Sequence, residues 1–259
     1  MTVFSLSGKI ALVAGASRGI GLAIAQHLAE AGAHTTLAAR SADKLEEHAQ
    51  ALLAKGYQAS ALRMDMADPE SIRAAVKAME TPPDILVNVA GTNIRNRFQQ
   101  YTQAEYEHIM RTNLHGIVEL TQQIGARMIE RGSGGKIIMI GSLMSLLGLP
   151  YISIYAMTKG AIGQLTKALA AEWGRYNIQV NCIAPGFIIT DLNRRMWEPA
   201  AMREWLKGVQ ANPHPGTPED IAPLAVFLAG RGADYITGQI IAVDGGYTTT
   251  AVWPFEPEG

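Results

Sequence analysis

Tyr155 and Lys159 stand four residues apart in the stretch Gly141 to Lys159, and Ser142 lies thirteen residues before the tyrosine. On a helix, residues spaced by four share one face. A free phenol titrates near pH ~10 and is a poor proton donor or acceptor at neutrality. An ammonium held beside it favours the phenolate, lowers its pKa and makes it a usable general acid or base. The serine hydroxyl can point into the same space and hold a carbonyl oxygen. Together the three suit hydride-transfer chemistry at a carbonyl. A Tyr-x-x-x-Lys pair alone is weak, since eight tyrosines in 259 residues make a chance pairing on an exposed helix face easy. Its position gives it weight: an apolar strand, Ser142, a loop with Gly148 and Pro150, then the pair, all downstream of a nucleotide signature.

The elements that must place these groups follow from periodicity. Short, nearly unbroken apolar runs at Ile10–Ala14, Thr35–Ala39, Ala59–Arg63, Ile85–Val89, Ile137–Ile140, Gln179–Ile183 and Ile240–Val243 read as strands covered on both faces. Helical patterns fill the intervals at Ile20–Ala31, Ala42–Lys55, Glu70–Met79, Gln103–Arg131, Tyr155–Arg175 and Glu219–Leu228. Asp68-Pro69 and Thr217-Pro218 are helix starts, a capping side chain followed by proline at the first helical position. Alternation of this kind predicts an α/β fold, a Rossmann-like doubly wound parallel sheet of about seven strands with helices on both faces. With no repeat and no low-complexity linker, residues 1–259 read as a single domain.

The first strand runs into Gly15-Ala16-Ser17-Arg18-Gly19-Ile20-Gly21. Glycines here allow a tight turn and close approach of a pyrophosphate to the positive end of the next helix. Alone, such a cluster is often only a strand-to-helix turn; at the first strand of an alternating chain the nucleotide reading leads. An Asp or Glu at the end of the second strand would bind a ribose 2′-hydroxyl. This chain has Ala39 and Arg40 there, with Arg18 in the loop, and two guanidiniums without a competing carboxylate suit a 2′-phosphate. The expected cofactor is NADP(H), against the plainer reading of Arg40 as a solvated charge. Asp65 is placed either to accept from an adenine amino group or to cap a local turn. In Asn88-Val89-Ala90-Gly91 the small residues would let a ribose lie on the sheet edge, and Asn88 could instead tie strands together.

Arg95 and Arg97 follow the fourth strand, where ligands of open α/β sheets sit, and suit a carboxylate or simply a solvated loop. Thr112-Asn113-Leu114-His115-Gly116 interrupts a long helical pattern with poor helix formers, which predicts a kink or a freed carbonyl. Asn113 could then hold a water near Lys159, or mark a packing irregularity. After Pro185-Gly186, the backbone near Ile188 and the Thr190 hydroxyl could meet a carboxamide. The segment 191–216, with Met196, Trp197, Trp205 and Leu206, is a substrate lid or an ordinary surface helix. The tail 247–259 carries Trp253 and Phe255 between prolines and is expected to pack on its own domain or a neighbouring subunit.

Composition narrows the partners. With 48% apolar and 17% charged residues and a net charge of −1, the chain is globular and gives no reason to expect nucleic acid or an anionic membrane. No apolar run approaches the ~18 residues of a membrane span, and the short run after Lys9 is broken by Gly15 and Arg18, so a cytoplasmic location is expected. Cys182, the only cysteine, reads as core packing, and the six histidines show no metal-ligand spacing.

Taken together these motifs resemble the short-chain dehydrogenase/reductase family over essentially the whole chain. The matching positions are Gly15, Gly19 and Gly21, Asp65, Asn88 to Gly91, Asn113, Ser142, Tyr155, Lys159, and Pro185-Gly186 with Thr190. The resemblance implies Tyr155 as proton donor or acceptor, Lys159 on the nicotinamide ribose, Ser142 on the carbonyl and Asn113 anchoring a relay water. It also implies cofactor contacts from Ser17, Arg18, Ile20, Arg40, Met66, Ala90, Gly91 and Ile188, and a homo-oligomer, tetramer or dimer. Two positions depart from the family pattern: Ala14 replaces Thr and Val89 replaces Asn, removing hydrogen bonds that brace the cofactor loop and the fourth strand. Ser142-Leu143-Met144-Ser145, Ala171 to Arg175 and Asn177 to Asn181 are most similar to gluconate 5-dehydrogenase-like members, which implies a keto sugar acid. Alternatives kept open are a 3-oxoacyl-thioester reductase and a non-catalytic NADP(H)-sensing protein.

Overall fold

Seven strands pair into one parallel sheet in the order β3-β2-β1-β4-β5-β6-β7. They are β1 (Ile10–Ala14), β2 (His34–Ala39), β3 (Ala59–Arg63), β4 (Ile85–Asn88), β5 (Gly135–Ile140), β6 (Ile178–Pro185) and β7 (Ile240–Val243). The computed structural model describes residues 4–191 and 193–251, so Trp253 and Phe255 lie outside the described residues. Connecting helices are α1 (Gly19–Glu30), α2 (Ala42–Ala54), α3 (Pro69–Ala78), α4 (Gln103–Met110), α5 (Gly116–Arg131), α6 (Ser153–Trp173), α7 (Ala200–Val209) and α8 (Pro218–Ala229). All seven expected strands are present.

Successive strand residues point to opposite faces, and each face has its own core. Val13, Val87, Ile138 and Ile183 pack with Ile24, Leu28, Ile221 and Val226 of α1 and α8. Leu12, Leu86, Ile137 and Val180 pack with Ile72, Leu120, Ile124 and Ile162 of α3, α5 and α6. Burying each such side chain stabilises the fold by about 1.5–3 kcal/mol relative to leaving it in water. The strand order reverses at β1, with β2 on one side and β4 on the other. Ligands of doubly wound sheets lie outside the strand carboxyl ends at such a reversal.

The two predicted helix starts form as capped turns. Asp68 accepts from the Glu70 N–H at 3.0 Å, and Asp220 accepts from the Thr217 N–H at 2.7 Å. The irregularity foreseen at Thr112–Gly116 is a turn of π-helix, Arg111–His115, between α4 and α5. Gly116 is there because the Met66 carbonyl comes so close that a Cβ would lie 1.8 Å from it. Within residues 193–216 the chain forms a 3₁₀ turn, Arg194–Trp197, and α7.

Candidate active site

The exit of β1 is shaped by close contact. Gly15 has φ +101°, and a Cβ on it would stand 2.6 Å from the Ala90 nitrogen; one on Gly21 would stand 2.1 Å from the Gly15 carbonyl oxygen. Main-chain bonds brace this loop. Gly15 and Ala16 N–H groups donate to the Ala38 carbonyl at 2.7 and 3.1 Å, and Val89 and Ala90 N–H groups donate to the Ala14 carbonyl, both at 2.9 Å. The bracing that the Ala14 and Val89 departures were expected to cost is supplied here by the backbone. His48, which sequence reasoning passed over, approaches the Ser17 carbonyl at 3.3 Å through Nε2 and ties α2 to the loop. A histidine on a polar helix face carries no signal that would have found it.

The start of α1 has no side-chain cap and no acidic residue in its first turn, so its leading N–H groups are open to an anion. Arg18 and Arg40 are both exposed, and among the described residues neither meets a carboxylate. Gly19 lies against Thr190, whose Cγ2 would be 3.4 Å from a Cβ there. The segment after β6 therefore meets the glycine loop through Thr190. This glycine cradle, uncapped helix end and pair of free guanidiniums fit a pyrophosphate with a 2′-phosphate.

Asp65 and Asn88 turn to structural work. Asp65 Oδ1 accepts from the Ala67 N–H at 2.9 Å, the turn-cap reading, and its own N–H donates to Ser71. Asn88 is fully buried and donates through Nδ2 to Thr121 Oγ1 at 2.9 Å and Met139 Sδ at 3.3 Å. It ties β4 to α5 and β5, so its side chain is not offered to a ribose. Met66 is buried with its carbonyl against Gly116, which leaves Ala90 and Gly91 as the small residues at the sheet edge.

At the exit of β5 the expected triad comes together, with one correction. Ser142 is close enough to the Tyr155 phenol to draw its pKa down, but burial outweighs this and holds the phenol above its ordinary value. The lowering expected from Lys159 is absent. The Lys159 ammonium is buried, donates to the Ile140 carbonyl at 2.7 Å and lies 5.7 Å from the Tyr155 ring centroid. Burial pulls its own pKa down to about 8, with the neighbouring Cys182 thiol acting the other way. Burial raises the Cys182 thiol in turn. Cys182 is thus core, as expected, and also the electrostatic neighbour of the lysine.

Asn113 reaches the same place from the π turn. Its side chain clamps Thr92, accepting from the N–H at 2.7 Å and donating to the carbonyl at 2.8 Å. Its Nδ2 also approaches Thr158 Oγ1 at 3.4 Å, which donates to the Tyr155 carbonyl at 2.7 Å. A Cβ on Gly91 would stand 3.6 Å from Asn113 Oδ1 and 3.8 Å from Lys159 Nζ, so amide and ammonium share one corner. Beyond Gly91, Arg95 and Arg97 are exposed, on a loop held by the Asn96 N–H donating to the Tyr151 carbonyl at 2.9 Å.

The chain before and after α7 is tied together, because the Ile189 N–H donates to the Gly216 carbonyl at 2.8 Å and the Gly216 N–H to the Phe187 carbonyl at 2.9 Å. Asn193, another residue sequence reasoning missed, accepts from the Thr190 N–H at 2.8 Å and donates to the Ile188 carbonyl at 2.7 Å. Phe187 meets Trp197, Trp205 and Tyr247 edge-on at 5.7, 5.4 and 5.0 Å, so the described start of the tail packs on its own domain. Phe187, Tyr247 and Tyr155 all pack against the buried cluster of Leu143, Met144 and Ile152.

Comparisons with known proteins agree with this geometry. A family model described as "Enoyl-(Acyl carrier protein) reductase" matches residues 15–248. Gluconate 5-dehydrogenase of Gluconobacter oxydans is 38% identical over 251 residues, 96% of this chain and 98% of the relative. The crystal structure of a gluconate 5-dehydrogenase from Burkholderia cenocepacia in complex with NADP and tartrate matches with a TM-score of 0.92 at 39% identity, covering 96% of this chain and 98% of that one. A 3-oxoacyl-[acyl-carrier-protein] reductase of Pseudomonas aeruginosa is 38% identical over 93% of this chain and 98% of its own length.

Proposed function

This chain belongs to the short-chain dehydrogenase/reductase family, and we propose that Tyr155 moves the proton of its reaction on a keto sugar acid. The protein is an NADP(H)-dependent oxidoreductase that interconverts a ketone and a secondary alcohol of a small molecule. The nicotinamide supplies or takes up the hydride. When a ketone is reduced, the Tyr155 hydroxyl gives its proton to the carbonyl oxygen as the C–O bond becomes single. When an alcohol is oxidised, the phenolate takes the hydroxyl proton. Ser142 donates to the substrate oxygen and holds it in line with the phenol. Lys159 binds the nicotinamide ribose and supplies positive charge, and Asn113 anchors the relay water beside it. Gly15 to Gly21 would hold the phosphates and ribose, with Arg18 and Arg40 on the 2′-phosphate. Ala90, Gly91, Pro185, Gly186, Ile188 and Thr190 would supply the remaining contacts.

The reading rests most on the Ser142 hydroxyl acting on the Tyr155 phenol, with the Lys159 ammonium buried behind them at the end of β5. A phenol held above its ordinary pKa stays protonated at neutral pH, which suits the reducing direction. The keto sugar acid is supported by Arg95 and Arg97, cations beside the segment that leads into Tyr155, and by relatives that include a 5-keto-D-gluconate 5-reductase of Escherichia coli at 34% identity. NADPH consumption with 5-keto-D-gluconate is expected to exceed that with an acetoacetyl thioester; the reverse order would replace the sugar-acid assignment with the thioester one.

The proposal extends to a single catalytic domain with residues 191–216 as substrate lid, acting in the cytoplasm as a homo-oligomer. No helix among the described residues is long and apolar enough to cross a membrane. Val118 on α5 and Met157 on α6 are apolar side chains left exposed, which an assembly would cover. Light scattering on the eluting protein is expected to give a dimer or tetramer mass.

A further inference from the structure

Ser145 stands between two of the groups assigned to the reaction. Its hydroxyl accepts from the Ser142 N–H at 3.3 Å and donates to the Lys159 carbonyl at 2.8 Å, while its own N–H donates to the Ser142 carbonyl at 2.8 Å. Lys159 closes the circuit from its other end, where Nζ donates to the Ile140 carbonyl at 2.7 Å. A ring of hydrogen bonds thus runs through Ile140, Ser142, Ser145 and Lys159, joining the exit of β5 to the middle of α6. The space inside it is filled: a Cβ on Gly141 would stand 2.6 Å from both Ser145 Oγ and Cys182 Sγ. On the helix side, a Cβ on Gly163 would be 3.4 Å from Ser145 Cβ, so α6 packs directly against the serine.

We propose that Ser145 is a positioning residue, whose one oxygen sets the register between Ser142 on the strand exit and Lys159 on the helix. This rests on the reading of Ser142, Tyr155 and Lys159 as the reacting set. Ser142 begins a single 3₁₀ turn, Leu143–Ser145, with extended backbone at φ −169°. So short a turn has little rigidity of its own and takes its orientation from what it is bonded to. Without the Ser145 oxygen the Ser142 N–H loses its acceptor, the turn loses its tie to α6, and the Ser142 hydroxyl is no longer held toward Tyr155. Since that hydroxyl draws the phenol pKa down, its drift should let the phenol rise further.

The test is Ser145→Ala, which deletes the oxygen and keeps the Cβ. The Tyr155 titration is followed by phenolate absorbance, taken as the difference from a matched protein carrying Tyr155→Phe. In Ser145→Ala the midpoint is expected to rise by about half a pH unit or more, with kcat on 5-keto-D-gluconate falling about tenfold, the effect of losing one to two neutral hydrogen bonds. A titration coincident with that of the parent protein would overturn the proposal even if the variant melts earlier, because a merely structural serine would lower stability without moving the phenol. Tyr155→Phe that still turns over at the parent rate would instead reject the reading of the reacting set, whatever the Ser145 titration gives.

Discussion

Lys159 Nζ donates to the carbonyl of Ile140 at 2.7 Å, while the ring centroid of Tyr155 lies 5.7 Å from it. The ammonium is therefore anchored to the sheet, and burial of the phenol sets the direction of its shift, which is upward. Burial dominates both groups and moves them in opposite directions, the phenol up and the ammonium down, because each charged form is the one disfavoured away from water. Ser142, not Lys159, is the partner that opposes burial at the phenol.

Tyr155→Phe removes the proton and leaves the ring in its cluster with Leu143, Met144 and Ile152. General acid–base help is worth roughly 10²–10⁴ in rate. A fall of that size in kcat is expected with NADPH affinity almost unchanged, measured by steady-state kinetics beside fluorescence titration of the cofactor. Wild-type kcat in the variant would reject the role.

Lys159 makes stability depend on alkaline pH. Its folded pKa of about 8 lies below the unfolded value of 10.5, so between those pH values the unfolded chain binds more protons than the native one. Stability from this group should rise with pH across that window, and the desolvation cost should be fully present below it. The window is worth a few kcal/mol at about 1.4 kcal/mol per unit. Denaturant midpoints of the protein and of Lys159→Met, measured from pH 7 to 10.5, should therefore draw closer or cross as pH rises. A constant gap between them would mean that the lysine is not desolvated.

Arg40 directly follows β2, with no carboxylate beside it among the described residues. Arg40→Asp places a negative charge where the 2′-phosphate is expected, and an Asp there can hold a ribose hydroxyl instead. The ratio of kcat/KM for NADPH to that for NADH should fall at least about tenfold, on the scale of one charge-assisted hydrogen bond. An unchanged ratio would remove Arg40 from the cofactor site.

Asn193→Ala cuts the bonds to the Thr190 N–H and the Ile188 carbonyl that hold the start of the proposed lid. Each neutral bond is worth about 0.5–1.5 kcal/mol, so KM for the keto acid should rise several-fold. Because Ser142 lies at the exit of β5 and Tyr155 and Lys159 lie on α6, kcat should change less than KM. A loss confined to kcat would contradict the role of this segment as a lid.

Much of the architecture was readable from local pattern. Strand positions, the parallel sheet and both Pro-led helix starts follow from apolar runs and caps, features that depend on neighbours a few residues away. The weak spot at Asn113 and Gly116 was readable too, since poor helix formers inside a helix need a reason. What kind of irregularity it is was not readable: the π turn ends at Gly116 against the Met66 carbonyl, which arrives from the loop after β3.

Residue types and spacing were enough to nominate Ser142, Tyr155 and Lys159 as one group, because the strand exit and the helix face are local geometry. The sign of the Tyr155 shift, the anchoring of Lys159 on Ile140 and the buried role of Asn88 were set only when distant segments packed. Burial and hydrogen-bond partners are properties of an assembled interior, and no spacing along one chain states how much water each group has lost.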